Sequence, residues 1–250
     1  MKDSGARMIA TFRQRIVESH VSASTRGKEP ARQPRRKQQR VPSAASLSRR
    51  LRNSERKRAV ILEAALETFS KYGIHGASIE QIALQADVSK TNLFYYFTNK
   101  EELYVSVLRN LLDLWLKPLR AFTEDQDPIE AIRDYLRVKL EFSRDHPAES
   151  RLFCMEVMQG APLMLTELQQ PLHDLVENKI AVIQTWIDQG KLSAVEPYHL
   201  IFSLWATTQH YADFRVQIEA VAGKTLDDPA FFTETLKSLE TIILNGVSPR

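Results

Sequence analysis

Cysteine is almost absent. Cys154 is the one thiol in 250 residues, so the chain closes no disulfide on itself and offers no thiolate cluster for zinc or iron. That usage fits a reducing cytoplasm. Glycine is sparse, at eight residues, and none of them builds the glycine-rich loop that cradles a phosphate. The six histidines, at positions 20, 75, 146, 173, 199 and 210, form no HExxH pattern and no pair four residues apart, which removes the commonest helical metal site. Long apolar runs are missing too. The longest uncharged apolar-rich stretch, Pro197 to Ala212, is broken by His199, Gln209 and His210, and it falls short of the ~18 or more apolar residues that read as a membrane-crossing helix. No alternating strand pattern and no strand-flanked hairpin turn occurs. Catalytic residues, a metal, a cofactor and a membrane span are all unexpected.

What is present is a helix-forming chain with an apolar fraction of 43%, enough for a buried core. The formal net charge of +3 conceals a division: residues 1 to 52 carry 14 Lys and Arg against three Asp and Glu, or +11, and the other residues carry 20 against 28, or −8. If this acidic body meets a nucleic acid, its cations must be placed locally, because phosphate neutralisation supplies most non-specific affinity.

Residues 20 to 53 are rich in Ser, Arg, Pro, Lys and Gln and bury too little apolar surface to offset ordering entropy, so residues 1–53 are expected to be a basic, largely disordered extension. Within it Met8, Phe12 and Ile16 recur every four residues beside Arg7, Arg13 and Arg15, as in a short basic amphipathic helix. Three origins stay open for the extension: a start site placed upstream of the true one, a DNA-contacting arm, or a targeting sequence. From Ser54 the texture changes. Leu62, Ala65, Leu66, Phe69 and Tyr72 fall on one face of a first helix that Gly73 is expected to end. Ser78 with Gln81 forms a capping box for a second helix ending near Ala86, and Asp87 and Val88 make a turn. Ser89 caps a third helix, and Asn99 with Glu102 repeats the capping pattern for a fourth. The punctuation beyond residue 120 predicts helices at 128–145, 147–158, 163–189, 197–221 and 229–245. Pro128, Pro147, Pro197 and Pro229 sit at tolerated first-turn positions, three of them after an acidic residue. The domains are therefore placed at 54–98 and 99–250.

Residues 78 to 97 have the layout of a helix-turn-helix, whose second helix presents short polar donors to the major groove of DNA. Lys90, Thr91 and Asn92 occupy the first turn of that helix, while Leu93 and Phe97 face inward at i and i+4. Asn92 can pair with adenine, and Lys90 can reach guanine or a phosphate. Ser78, Tyr95, Tyr96 and Lys100 suit phosphate contacts, which set register without reading sequence. Spacing alone leaves an ordinary capped helix pair with a solvated lysine as an equal alternative.

The stretch AALETFSKYGIHGASIEQIALQADVSKTNLFYYFTNKEEL resembles the N-terminal region of TetR-family regulators. The resemblance implies an all-α fold: a three-helix DNA-binding domain with a helix-turn-helix, followed by a larger helical domain for effector binding and dimerisation. Carried over by position, the family's DNA contacts fall on Ser78, Lys90, Thr91, Asn92, Tyr96 and Lys100. One departure is Asp87, where the family commonly has glycine; Asp tolerates a positive φ, so the turn is expected to survive. The implied partner is double-stranded operator DNA, bound as a homodimer.

The second domain resembles the pyrimidine-responsive branch of that family in DLWLKPLRAF (113–122), SRLFCME (150–156), MQGAPL (158–163) and LIFSLWATTQHYADF (200–214). The resemblance implies uracil or thymine as effector, and points to Trp115, Trp205 and Gln209. The residues are compatible with this: Trp205 and Gln209 lie at i and i+4 with Thr208 beside them, a Gln amide offers one donor and one acceptor, and indoles can stack on a base. On spacing alone, Trp115 belongs to a packing stripe with Leu108, Leu111, Leu112 and Leu119. His210, Tyr211 and Asp213 serve either a pocket or a dimer face, and Cys154 reads as a buried thiol. The last two helices, with Leu200, Ile201 and Leu204 on one and Phe232, Leu236, Leu239, Ile242 and Ile243 on the other, are expected to form a four-helix dimer interface. Release of DNA by the base, to relieve repression of pyrimidine utilisation and nitrogen metabolism genes, is the expected function. A TetR-type repressor of another metabolic or efflux operon, with a different effector, and a helical adaptor or DNA-binding protein that uses its basic tail without reading sequence, are the alternatives.

Overall fold

Ile61, Leu62, Ala65 and Phe69 recur along one helical face, and all four are fully buried. They organise the N-terminal part of the computed structural model, which describes residues 44–249. The helices are α1 (Ala44–Gly76), α2 (Ile79–Gln85), α3 (Lys90–Tyr96), α4 (Lys100–Arg120), α5 (Pro128–Asp145), α6 (Pro147–Met158), a single turn α7 (Leu165–Glu167) that runs into a π-helical turn (Leu168–Leu172), α8 (His173–Asp188), α9 (Pro197–Asp213), α10 (Arg215–Ala222) and α11 (Pro229–Val247). No strand occurs among the described residues.

Helix starts follow the capping chemistry. Ser78 Oγ accepts from the Gln81 N–H at 3.1 Å, and Gln81 Oε1 accepts from the Ser78 N–H at 2.9 Å. Asp127, Glu196 and Asp228 cap α5, α9 and α11 from the position before a first-turn proline. At α4 the pattern differs from the expected box. Asn99 Oδ1 accepts from the Glu102 N–H at 2.7 Å, but Glu102 reaches back to the Thr98 N–H at 2.6 Å instead of to Asn99.

Buried side chains form two clusters. The first joins the α1 stripe to Ile82 of α2, to Leu93 of α3 with Phe97 beyond its end, to Leu103 and Leu108 of α4, and to Leu152, Ala161 and Met164. The second joins Leu119, Ile132, Leu136 and Leu140 to Ile183, Trp186, Leu200, Ile201, Leu204 and Leu239. Helix α4, about 32 Å long at 1.5 Å per residue, enters both: its first half lies in the N-terminal cluster and Leu119 in the other. Helix α1 packs against α4 and α6, and α9 packs against α5, α6 and α8.

Five sequence expectations are corrected. Helix α1 begins at Ala44, ten residues inside the stretch expected to be disordered, because Ala44–Arg58 contains neither proline nor glycine. The short basic helix expected at Met8–Ile16 lies outside the described residues. Tyr72 is 46% exposed, since Gly73 (φ 66, ψ 176) breaks the helix beside it and turns the chain off the core. The helix expected at 163–189 is interrupted: Pro171 has no N–H and its ring crowds the preceding turn, which widens into a π turn. The helix expected at 197–221 bends at Phe214 (φ −110, ψ 29), after which Arg215 pairs with Asp227 at 2.5 Å. Finally, Leu200, Ile201 and Leu204 are buried inside the protomer, as is Leu239, so they cannot form a dimer face. The apolar surface on these helices is carried by Phe202, 48% exposed, and Ile242, 67% exposed, with Phe232, Leu236 and Ile243 half-buried.

Candidate DNA-reading face and effector-domain cavity

The turn between α2 and α3 is tight because Asp87 adopts φ 51, which lets the Val88 N–H reach the Ala83 carbonyl at 3.0 Å. Leu93 and Phe97 then bury completely, fixing which face of α3 is left outside. That outer face carries Lys90 and Thr91, both exposed, with Asn92 half-buried and Tyr95 80% exposed. Tyr96 packs edge-on against Tyr95, with ring centroids 5.2 Å apart. Lys90 donates to Glu80 of α2 and lies 5.9 Å from the Phe94 ring; the lysine hydrogen bond holds the Glu80 carboxyl below its usual range. Lys90 must leave Glu80 to meet a phosphate or base. Lys100 is half-buried and donates to the Ala77 carbonyl at 3.2 Å, so it ties the start of α4 to the loop before α2 while keeping two donors for another acceptor. Ser78 Oγ is engaged as the α2 cap, and its O–H remains able to donate.

The second site is a cavity of about 310 Å³ at the seam between the two hydrophobic clusters. Trp115 of α4 and Trp205 and Gln209 of α9 all line it. Trp115 is set by an edge-on contact with Phe153 of α6, centroids 5.1 Å apart. Thr208 does not line it, a correction to its expected role: it is fully buried, its hydroxyl donates to the Leu204 carbonyl at 2.7 Å, and its carbonyl accepts from Ser143 Oγ at 2.8 Å. Its neighbour Gln209 projects 100° further round the helix and reaches the cavity.

Two charged residues complete the lining, Lys139 and Asp213. Lys139 was not singled out from sequence, although a lysine among Ile132, Tyr135, Leu136 and Phe142, on the buried stripe of α5, is itself a signal. It is 4% exposed, and its Nζ lies 5.5 Å from the Trp115 ring centroid. Burial pulls its pKa down to about 8, against the opposing pull of the Asp213 charge. Asp213, open between pocket and dimer face on sequence grounds, accepts from Ser150 Oγ at 2.6 Å. Cys154, on the same wall, is only partly buried; burial first, then the Asp213 charge, pushes its thiol up to about 11, so it is not an activated nucleophile. The cavity is therefore lined by two indoles, one amide, one amine and one carboxylate. Among the described residues, no group of three or more His, Cys, Asp or Glu could hold a metal, and no helix is long and apolar enough to cross a membrane.

A capped helix pair with a polar outer face, joined by one long helix to a helical domain with a partly open cavity, defines a helix-turn-helix regulator. Residues 61–107 match the family described as bacterial regulatory proteins, tetR family, and residues 108–250 match the YcdC-like protein, C-terminal region. The HTH-type transcriptional regulator RutR of Escherichia coli K12 is 54% identical over 202 residues, which cover 81% of this chain and 95% of that protein. The HTH-type transcriptional repressor SCO4008 of Streptomyces coelicolor is 33% identical over 158 residues, 62% of this chain and 78% of that one. Among solved structures, a putative transcriptional regulator, SCO4942 of Streptomyces coelicolor, aligns with a TM-score of 0.61 at 24% identity, covering 78% of this chain and 99% of that one. A TetR family regulator from Marinobacter aquaeolei VT8 aligns with a TM-score of 0.61 at 20% identity, covering 81% and 100%. These two likenesses speak for the fold. The chain belongs to the TetR family and is a transcriptional regulator of the RutR type.

Proposed function

We propose that the chain is a repressor that binds a palindromic operator as a homodimer and is released by a pyrimidine base, uracil or thymine. The observation that carries the effector is the cavity lining. A neutral pyrimidine presents a flat π-face and alternating carbonyl acceptors and N–H donors. Trp115 and Trp205 supply faces for stacking, worth about 1–3 kcal/mol per base in nucleic-acid systems. Lys139 donates to a carbonyl, Asp213 accepts from an N–H, and Gln209 does both. A volume of about 310 Å³ lies at the small end of ligand sites, which run about 300–1,000 Å³, and suits a single ring.

On the DNA side Lys90, Thr91 and Asn92 read bases, and Ser78, Tyr95, Tyr96 and Lys100 meet phosphates. Arg49, Arg50 and Arg52, which lie outside the body of −8, together with Arg56 and Lys57 within it, are all exposed on α1 and concentrate positive charge locally. Ligand in the cavity displaces α4 at Trp115, and the N-terminus of α4 abuts the DNA-reading unit, so the separation of the two recognition helices changes. For successive major grooves that separation is about 34–36 Å or a multiple of it.

Calorimetric titration with uracil, thymine and cytosine tests the reading. Uracil and thymine are expected to bind and cytosine, which replaces one carbonyl acceptor with an amine donor and one ring N–H donor with an acceptor, to bind at least about tenfold more weakly, the loss of roughly one charged hydrogen bond. Binding by none of the three would leave a regulator with a different effector. Equal uracil affinity with and without operator would remove the release mechanism, because coupling is reciprocal.

A further inference from the structure

Helix α6 shows two faces with different business. Phe153, Cys154 and Val157 line the cavity. Glu156, turned away from it, is a carboxylate only 3% exposed within the apolar run LFCMEVM. A leucine would pack there without desolvating a carboxyl group, so its contacts call for explanation.

Both contacts of that carboxylate are with neutral donors, and they lie on opposite sides. Oε1 accepts from the Leu163 N–H at 2.8 Å. Oε2 accepts from the Tyr104 hydroxyl at 3.2 Å, near the start of α4. The backbone carbonyl of Glu156 also accepts from the Ala161 N–H at 2.9 Å. Ala161 is buried at φ 54, a left-handed conformation that a Cβ disfavours, and Glu156 holds this turn through both its carbonyl and its carboxylate. That turn leads straight to Leu168 and Leu172, which form part of the cavity wall, and Glu167 beside them is tied to Arg109 of α4 at 2.6 Å. On the other side, the Tyr104 ring stands edge-on to Phe69 of α1, with centroids 5.1 Å apart and planes at 90°. Tyr104 is 3% exposed and Phe69 is fully buried. In so closely packed a contact a displacement has no void to absorb it.

We propose that Glu156 is the positioning residue that passes the state of the cavity to the DNA-reading unit, gripping the 161–163 turn with one oxygen and Tyr104, hence Phe69, with the other. This rests on the cavity taking an effector. When ligand shifts α6 or the Leu168–Leu172 wall, the carboxylate moves with them and carries Tyr104 and Phe69.

The test uses the full chain as wild type, Tyr104→Phe and Glu156→Gln. Operator affinity is read by fluorescence anisotropy, on a DNA site selected with the wild type, with and without saturating uracil. In the wild type uracil is expected to weaken operator binding by a factor in the range of about 5–150 typical of allosteric coupling, and Tyr104→Phe to lower that factor about fivefold or more. Affinity for uracil alone, and for operator alone, should stay close to wild type in Tyr104→Phe. Glu156→Gln should keep the coupling, since its amide oxygen can accept from Leu163 and its amide nitrogen can donate to the tyrosine oxygen. Full coupling in Tyr104→Phe overturns the proposal. A second arm needs no ligand: amide hydrogen exchange should quicken in Tyr104→Phe both in residues 159–164 and around Phe69, and quickening in only one segment, or in neither, overturns it. If the wild type ignores uracil, the effector reading fails and the exchange result alone decides.

Discussion

Lys139 is the residue on which the proposed effector chemistry turns. Its side chain is buried, and it shares the cavity lining with Asp213 and Cys154. Burial lowers its pKa from the usual 10.5 to about 8. Across that window the unfolded chain holds a proton that the folded chain has released, so this group makes stability rise as pH rises from about 8 to about 10.5. Denaturant unfolding should therefore show the wild type gaining stability relative to Lys139→Met over those pH values, and a constant difference between them would mean that the amine is well solvated. In the proposed complex the protonated amine donates to a base carbonyl. Replacement by Met at neutral pH should weaken uracil binding by about 1.5–3 kcal/mol, the range for a hydrogen bond to a charged group, in calorimetry.

Helices α2 and α3 depend on their caps more than longer helices do, because seven residues each are too few to be stable alone. Ser78→Ala removes the Oγ acceptor for the Gln81 N–H and should lower stability by about 0.5–2 kcal/mol in thermal unfolding. It should also weaken operator binding, since the start of α2 moves with its cap. Asn92 sits half-buried in the first turn of α3, where its backbone N–H donates to Ser89 Oγ at 3.1 Å. Asn92→Ala should cost about 1–3 kcal/mol at the operator and relax base preference at one position, as seen in binding-site selection. A uniform loss on all sequences would instead assign Asn92 to the phosphates.

For the molecule as a whole, the acidic body, the basic extension and the exposed apolar residues of α9 and α11 must be reconciled with the proposed palindromic operator. Phe202 and Ile242 are large apolar side chains exposed in the protomer, and a twofold interface would cover both at once. The double variant Phe202→Asp with Ile242→Asp is expected to be monomeric in sedimentation velocity, to keep its helical circular dichroism, and to lose most operator affinity, because the two half-sites then bind independently. A stable dimer in that variant would place the interface elsewhere.

Local signals were enough for much of this molecule. Ser78, Gln81, Ser89, Asn99 and the first-turn prolines announce helix starts because capping involves residues three or four apart, and Leu93 and Phe97 announce their burial because helical spacing puts them on one side. The resemblance over residues 64–103 carried the same region further, to a DNA-binding domain of the TetR family, which the family match at 61–107 shows. Where a helix bends or which apolar face stays inside depends on partners distant in sequence. Pro171 widens a turn instead of ending a helix, Leu200, Ile201 and Leu204 bury within the protomer while Phe202 does not, and Thr208 turns its hydroxyl to its own helix while Gln209 meets the cavity. Lys139 and Glu156 are the clearest cases: each is a charged letter in an apolar pattern, and only the packing of α4, α6 and α9 around them supplies Asp213 to one and Tyr104 and Leu163 to the other. Sequence by itself thus determined most helix starts, which rest on short-range periodicity and capping, and its resemblance to known regulators determined the family and the DNA-binding domain. The tertiary structure alone decided the cavity and its charged lining, because a buried charge is tolerated only where long-range contacts bring it a partner.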